Sequence, residues 1–257
     1  MTKTAYGLQM FSIRDITKDS MRMALEKMAA MGYHYAEFAG FFDYTAEQIK
    51  IWLDAFGLAC SGAHIGVGEL KMEELDEYIA YLQTIGCHTL IYTGGDWSTE
   101  EKMDRNIAIM NETQRRLAEA GMMMGFHNHS AEFFPTAYGK VIEEEIIKRT
   151  DAELEIDTFW AYNAKKDVVS LLEQYKDRIR MIHLKDGFPA PNPENDLAHC
   201  YAGASGRSLG AGSAPVLAIR EWAKKNNVLM VVESEGLNPT GPEEVERCIT
   251  FLKTLED

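Results

Sequence analysis

The stretch SMRMALEKMAAMGYHYAEFA, residues 20–39, holds the repeating unit of the chain. Residues 20–31 read as an amphipathic helix that stops at Gly32, a residue suited to the left-handed turn closing a helix. Residues 35–39 then read as a short apolar strand that carries a carboxylate, Glu37, near its end. Outward from this unit the alternation recurs. Short apolar runs fall at 6–11, 35–39, 58–64, 89–92, 122–127, 154–157, 180–184 and 228–232. Helical patterns fall at 20–31, 45–56, 73–85, 99–120, 137–149, 167–175 and 214–225, and a last one opens at Thr240 with Pro242 in its first turn. Thr45 and Gln48 have the spacing of a capping box. Eight strands, each followed by a helix, imply parallel strands with helical crossovers. In 257 residues they predict an α/β fold, a single (β/α)8 barrel spanning residues 1–257. No GxGxxG follows the first strand, which counts against a dinucleotide-binding sheet. The longest stretch without a predicted element is 186–213.

Composition bounds the function. Forty acidic against 26 basic residues give a formal charge of −14, and no Lys/Arg run offers a basic patch. Such a chain repels a phosphate backbone, so no nucleic-acid partner is expected. No stretch approaches the roughly 20 apolar residues of a membrane span, and the start, MTKTAYGLQMF, lacks the pattern of a signal peptide. The four cysteines are far apart and form no CxxC, which predicts reduced thiols in a cytoplasmic protein. The 14 methionines read as core filler.

In a barrel, catalytic groups sit at the C-terminal ends of strands. Those ends hold Glu37 (second strand), His64 (third), His127-Asn128-His129 with Glu132 beyond (fifth), and Asp157 (sixth). The seventh gives His183 with Lys185, and the eighth Glu233 and Glu235. The two-residue period of a strand places His127 with His129, Glu155 with Asp157, and Glu233 with Glu235 on common faces. Imidazoles and carboxylates without cysteine suit one divalent ion: Mn, Mg, Co or Zn. Crowded carboxylates need a cation between them. Taken singly, Asp157 also reads as a helix cap, His183 as a core histidine, and Glu233 as a partner of Lys185. Their convergence at successive strand ends favours the ligand reading. Glu155, one layer lower, is expected to orient a ligand histidine. His34, His88 and His199 show no convergence.

With these residues the chain resembles the xylose-isomerase-like TIM-barrel superfamily, also called sugar phosphate isomerases/epimerases, over essentially its whole length. The carriers are LQMFSIRD at 8–15, EFAG at 37–40, SGAH at 61–64, FHNH with Glu132-Phe133, DTFW at 157–160, HLKD at 183–186, LGAG at 209–212 and VESE at 232–235. The resemblance implies a divalent metal held by a Glu, an Asp, a His and a Glu from strands five to eight. The last three fall on Asp157, His183 and Glu233. The first does not carry over, because this chain reads His127-Asn128-His129 there. Register favours His127 as the replacement, with Glu132 reaching back from the loop as the alternative. The paired-glutamate proton transfer of the family's ketose epimerases is therefore altered. Trp160 stands where those epimerases have a substrate-binding histidine.

The implied reaction is metal-assisted removal of a proton beside the carbonyl of a keto-sugar, leading through an enediolate to isomerisation or epimerisation. A lyase or dehydratase acting on a keto-sugar or 3-keto-glycoside is the alternative, and a non-catalytic sugar-binding protein a second. The catalytic candidates are Glu233, His129, Glu132 and Lys185. Glu37, His64, Trp160 and Arg207 are expected to contact the sugar. The run GRSLGAG at 206–212 has the look of a phosphate loop but reads more simply as a flexible loop entering a helix. A related DNA-repair branch with three zinc ions needs more ligands and a basic face than this chain offers. Homo-oligomers are compatible with the pattern, but no feature fixes their number.

Overall fold

A computed structural model describes residues 4–256. Residues 1–3, where the signal-peptide reading begins, and Asp257 lie outside the described residues. Seven parallel strands come first: β1 (Tyr6–Gln9), β2 (Tyr35–Phe38), β3 (Ala59–Gly66), β4 (Thr89–Thr93), β5 (Met123–His127), β6 (Glu153–Asp157) and β7 (Ile179–Leu184). A short antiparallel hairpin, β8 (Asp186–Phe188) with β9 (Ser205–Arg207), precedes the last barrel strand, β10 (Leu229–Val232). The eight barrel strands close in chain order, with Leu8 of β1 paired to Val232 of β10. The chain is thus a closed (β/α)8 barrel.

Local chemistry sets the helix boundaries. The Ser20 hydroxyl accepts the Met23 N–H, and Gly32 closes that helix at φ 98°, a conformation that penalises any Cβ. Thr45 and Gln48 complete a reciprocal capping box. Apolar faces pack inward on the barrel, with Leu25, Met28, Ile49, Leu53, Met103 and Met110 buried. All four cysteines are free. Among the described residues no helix is long and apolar enough to cross a membrane.

Three expectations are corrected. The first strand stops at Gln9 rather than continuing to 11, because the Gln9 side chain accepts the Phe11 N–H and starts a 3-10 turn over Met10–Ile13. The helix expected from 137 begins only at Ile142, since Pro135 and Val141 pair in an antiparallel bridge ahead of it. The stretch 186–213 is not element-free. Beyond the hairpin, the Asp186 carboxylate accepts the N–H groups of Gly187, Gly210, Gly212 and Ala214 at 2.8–3.0 Å. Four such bonds to one buried charge tether the loop to the end of β7.

Candidate metal centre

Strand register lifts the polar residues to one level. His127 on β5 lies opposite Glu155 on β6, and Asp157 lies opposite His183 on β7. One ligand atom from each of His127, Asp157, His183 and Glu233 falls within 4.8 Å of the other three. His183 Nδ1 is 3.2 Å from Glu233 Oε2 and 3.8 Å from Asp157 Oδ2. Of the two fifth-strand candidates, His127 lies in this cluster. Glu132 does not: its buried carboxylate accepts the His129 N–H at 2.9 Å, and burial raises its pKa.

The donor set fits a divalent ion. Asp157 Oδ1 accepts the Trp160 N–H, while Oδ2 is buried without a hydrogen-bond partner. Burial holds the His127 imidazole well below its ordinary pKa, leaving it neutral as a ligand must be. Without an ion, burial pushes Asp157 up to about 7, against the pull of Lys185. A bound cation reverses that penalty.

Lys185 is fully buried at the edge of the cluster. Its Nζ lies 2.8 Å from Glu235, 3.0 Å from Glu233 and 3.6 Å from Asp157. Burial opposes its charge, yet these carboxylates raise its pKa, so the ammonium stays charged and serves as a fixed hydrogen-bond donor. The same ammonium stands 4.8 Å over the Trp160 ring, which makes Trp160 a wall of the site. The His129 ring meets His127 edge-on at 5.0 Å and opens onto a cleft of about 780 Å³ shared with His64, Phe11, Phe42 and Glu69. Burial keeps His129 neutral, with a pKa near 4.

A second layer lies below. Glu37 is fully buried, and its Oε1 is 2.6 Å from His183 Nε2, 2.9 Å from Gln9 Nε2 and 3.1 Å from His64 Nε2. Glu155 Oε2 is 2.8 Å from His64 Nε2 and 3.4 Å from His127 Nδ1. Glu37, expected at a sugar hydroxyl, is instead fully buried beneath the mouth with its Oε1 on His183, Gln9 and His64. Arg207 is exposed on the hairpin over Phe188, and its bond is to its neighbour's carbonyl, Gly206 O. Sequence reading missed Gln9. Its only signal was a polar residue in an otherwise apolar first strand.

A closed parallel barrel with a histidine–carboxylate centre at the C-terminal ends of its strands defines a class of TIM-barrel proteins. Within it, the chain belongs to the xylose isomerase-like TIM barrel family, which matches residues 25–255. It is 25% identical over 186 residues to an inosose dehydratase of Geobacillus kaustophilus, across 63% of this chain. The chain spans 60% of the length of that curated relative. A sugar phosphate isomerase/epimerase of Parabacteroides distasonis superposes with a TM-score of 0.75 at 22% identity, covering 98% of this chain and 94% of the other. The probable 3-DHS dehydratase AsbF of Bacillus anthracis does so with a TM-score of 0.73 at 12% identity, over 97% and 99%. Both likenesses are of fold.

Proposed function

We propose that this chain is a divalent-metal-dependent enzyme that removes a proton beside the carbonyl of a keto-sugar or related cyclic keto-polyol, acting as an isomerase or epimerase. The observation that carries this reading is the convergence of His127, Asp157, His183 and Glu233 within 4.8 Å. These four residues would hold the ion, which when bound polarises a substrate carbonyl and acidifies the adjacent C–H. The protein's own groups do the rest. His129, neutral and facing the cleft, takes the proton as general base, with Glu233 as the other candidate. Glu132 acts by holding the His129 backbone. Lys185, held charged by three carboxylates, donates to developing negative charge on oxygen. Trp160 closes one side against water. Return of the proton to the neighbouring carbon is isomerisation, and return from the opposite face is epimerisation.

A second reading is dehydration, favoured by the similarity to an inosose dehydratase. The first step is the same. The electron pair left on carbon then expels the hydroxyl one carbon further on, which leaves as water with the proton that His129 took in the first step, while Lys185 stays charged and only hydrogen-bonds. His129, beside the ligand His127, is the imidazole that serves as base and then as acid.

Incubation of the Mn²⁺- or Co²⁺-loaded protein with free ketoses, their phosphates, inososes and 3-keto-glycosides in D₂O tests both. Deuterium entering an unchanged carbon skeleton supports the isomerase or epimerase. Loss of water or of an aglycone with a new C=C supports the lyase. Tight binding of one compound with no exchange means a binding protein instead.

A further inference from the structure

Each cluster histidine spans two layers. His183 turns Nδ1 toward Glu233 and Asp157 above and Nε2 toward Glu37 below, at 2.6 Å. His127 Nδ1 stands 3.4 Å from Glu155 Oε2 and is buried without a hydrogen bond, so a ring that meets the upper cluster through Nε2 has that carboxylate behind it. Between the two lower carboxylates stands His64, with Nε2 3.1 Å from Glu37 and 2.8 Å from Glu155. The backbone serves the same arrangement. The β2–β3 register shifts between Ala36 and Glu37, and the β6–β7 register shifts between Leu154 and Glu155. Both irregularities fall immediately before a buried glutamate, where a bulge re-aims the side chain that follows.

We infer that Glu37 is a positioning residue: it fixes His183 as an Nδ1 ligand by accepting its Nε2–H, while Glu155 fixes His127 as an Nε2 ligand and His64 ties the two carboxylates together. The inference rests on the metal reading above. A carboxylate behind a ligand imidazole sets its tautomer and orientation and raises its basicity. The Glu37 contacts all run through Oε1, while Oε2 is buried without a partner. The residue is fully buried, and reaching a ligand at the mouth would break bonds to Gln9, His64 and His183. His64, His127, Glu155 and His183 also lie within 4.8 Å of one another and could be taken for a second ion site. Both of that group's shared histidines already serve the upper cluster, and the His183 Nε2 position is filled by Glu37. One ion per chain follows.

Co²⁺ alone is the probe. Titration of the wild-type chain, Glu37→Gln and Glu155→Gln gives affinity and stoichiometry. Proton NMR of the Co²⁺-loaded proteins gives the exchangeable, hyperfine-shifted imidazole N–H signals. The wild type is expected to bind one ion and show two such signals. Glu37→Gln should bind it 10–100-fold more weakly and move or lose one signal. Glu155→Gln should move the other. Failure of the wild type to bind Co²⁺ overturns the metal reading itself. One-site binding that Glu37→Gln leaves unchanged in both affinity and spectrum overturns the positioning role, as does a stoichiometry of two. If Glu37→Gln does not fold, Glu155→Gln decides through the His127 signal, which it must disturb; Glu155 Oε2 also stands 3.5 Å from His183 Nε2, so the His183 signal is not used as its control.

Discussion

Asp157 and Trp160 share a single tight contact: the carboxylate Oδ1 accepts the Trp160 backbone N–H at 2.8 Å and caps the helix Thr158–Asn163. The other oxygen stays buried and unpartnered toward the cluster. One side chain thus starts a helix and offers a ligand atom, and two substitutions separate the roles. Asp157→Asn is expected to keep the cap through its amide oxygen while losing the charged ligand. Asp157→Ala loses both, and the missing cap costs about 1 kcal/mol more. Metal titration and urea unfolding of the apo proteins check this. Equal stability of the two variants would show that the cap contributes nothing.

Glu143 makes stability depend on pH away from the metal centre. Both its carboxylate oxygens are buried without partners in the first turn of the helix Ile142–Arg149. Burial first, then the Glu132 charge, raises its pKa from 4.5 to about 8. The folded protein therefore holds a proton that the unfolded chain releases. This contribution is complete below about pH 4.5 and is lost as pH rises toward 8. The full span is on the order of 5 kcal/mol. Urea unfolding from pH 5 to 9 should show the wild type losing stability relative to Glu143→Gln. Parallel curves would mean that Glu143 ionises freely in the folded state.

The barrel and the mouth of the site were legible because they rest on short-range rules. Strand alternation puts Asp157 and Glu155 on one face, and strand ends carry His127, His183 and Glu233. Two things were not legible. The depth of Glu37 depends on a register shift at Ala36 that no local pattern marks. The chain's own use of its loop amides depends on where Asp186 folds back, a contact 24 residues long in sequence at Gly210.

That contact bears on substrate choice. A phosphate loop needs free backbone N–H groups, and those of Gly210, Gly212 and Ala214 are already bonded to the Asp186 carboxylate. A negative charge seated there repels a second one. Unphosphorylated substrates are expected to react with higher kcat/KM than their phosphates, by about tenfold or more given one opposed buried charge. Asp186→Ala should loosen the segment 205–214 to proteolysis. A clear preference for the phosphorylated substrate in wild-type steady-state kinetics would refute this account of the loop.

The fifth strand offers two candidates for the centre, His127 and Glu132. His127 lies in the four-residue cluster and is 2% exposed, whereas Glu132 spends its carboxylate on the His129 N–H. If His127 helps hold the ion as proposed, its loss takes one of the four donors from the cluster. His127→Ala should therefore lower Co²⁺ affinity by more than the 10–100-fold typical of a supporting residue. Glu132→Gln should keep the ion, because it touches none of the four. Its amide oxygen can still accept the His129 N–H, so its loss is confined to the charge that helps orient the base. Turnover should fall with affinity for Co²⁺ within a factor of about three of wild type, on the order of 0.7 kcal/mol. The two measurements must separate. If Glu132→Gln loses the ion and His127→Ala keeps it, the carboxylate reaches back over the mouth when the metal arrives, and the cluster of four is regrouped around it.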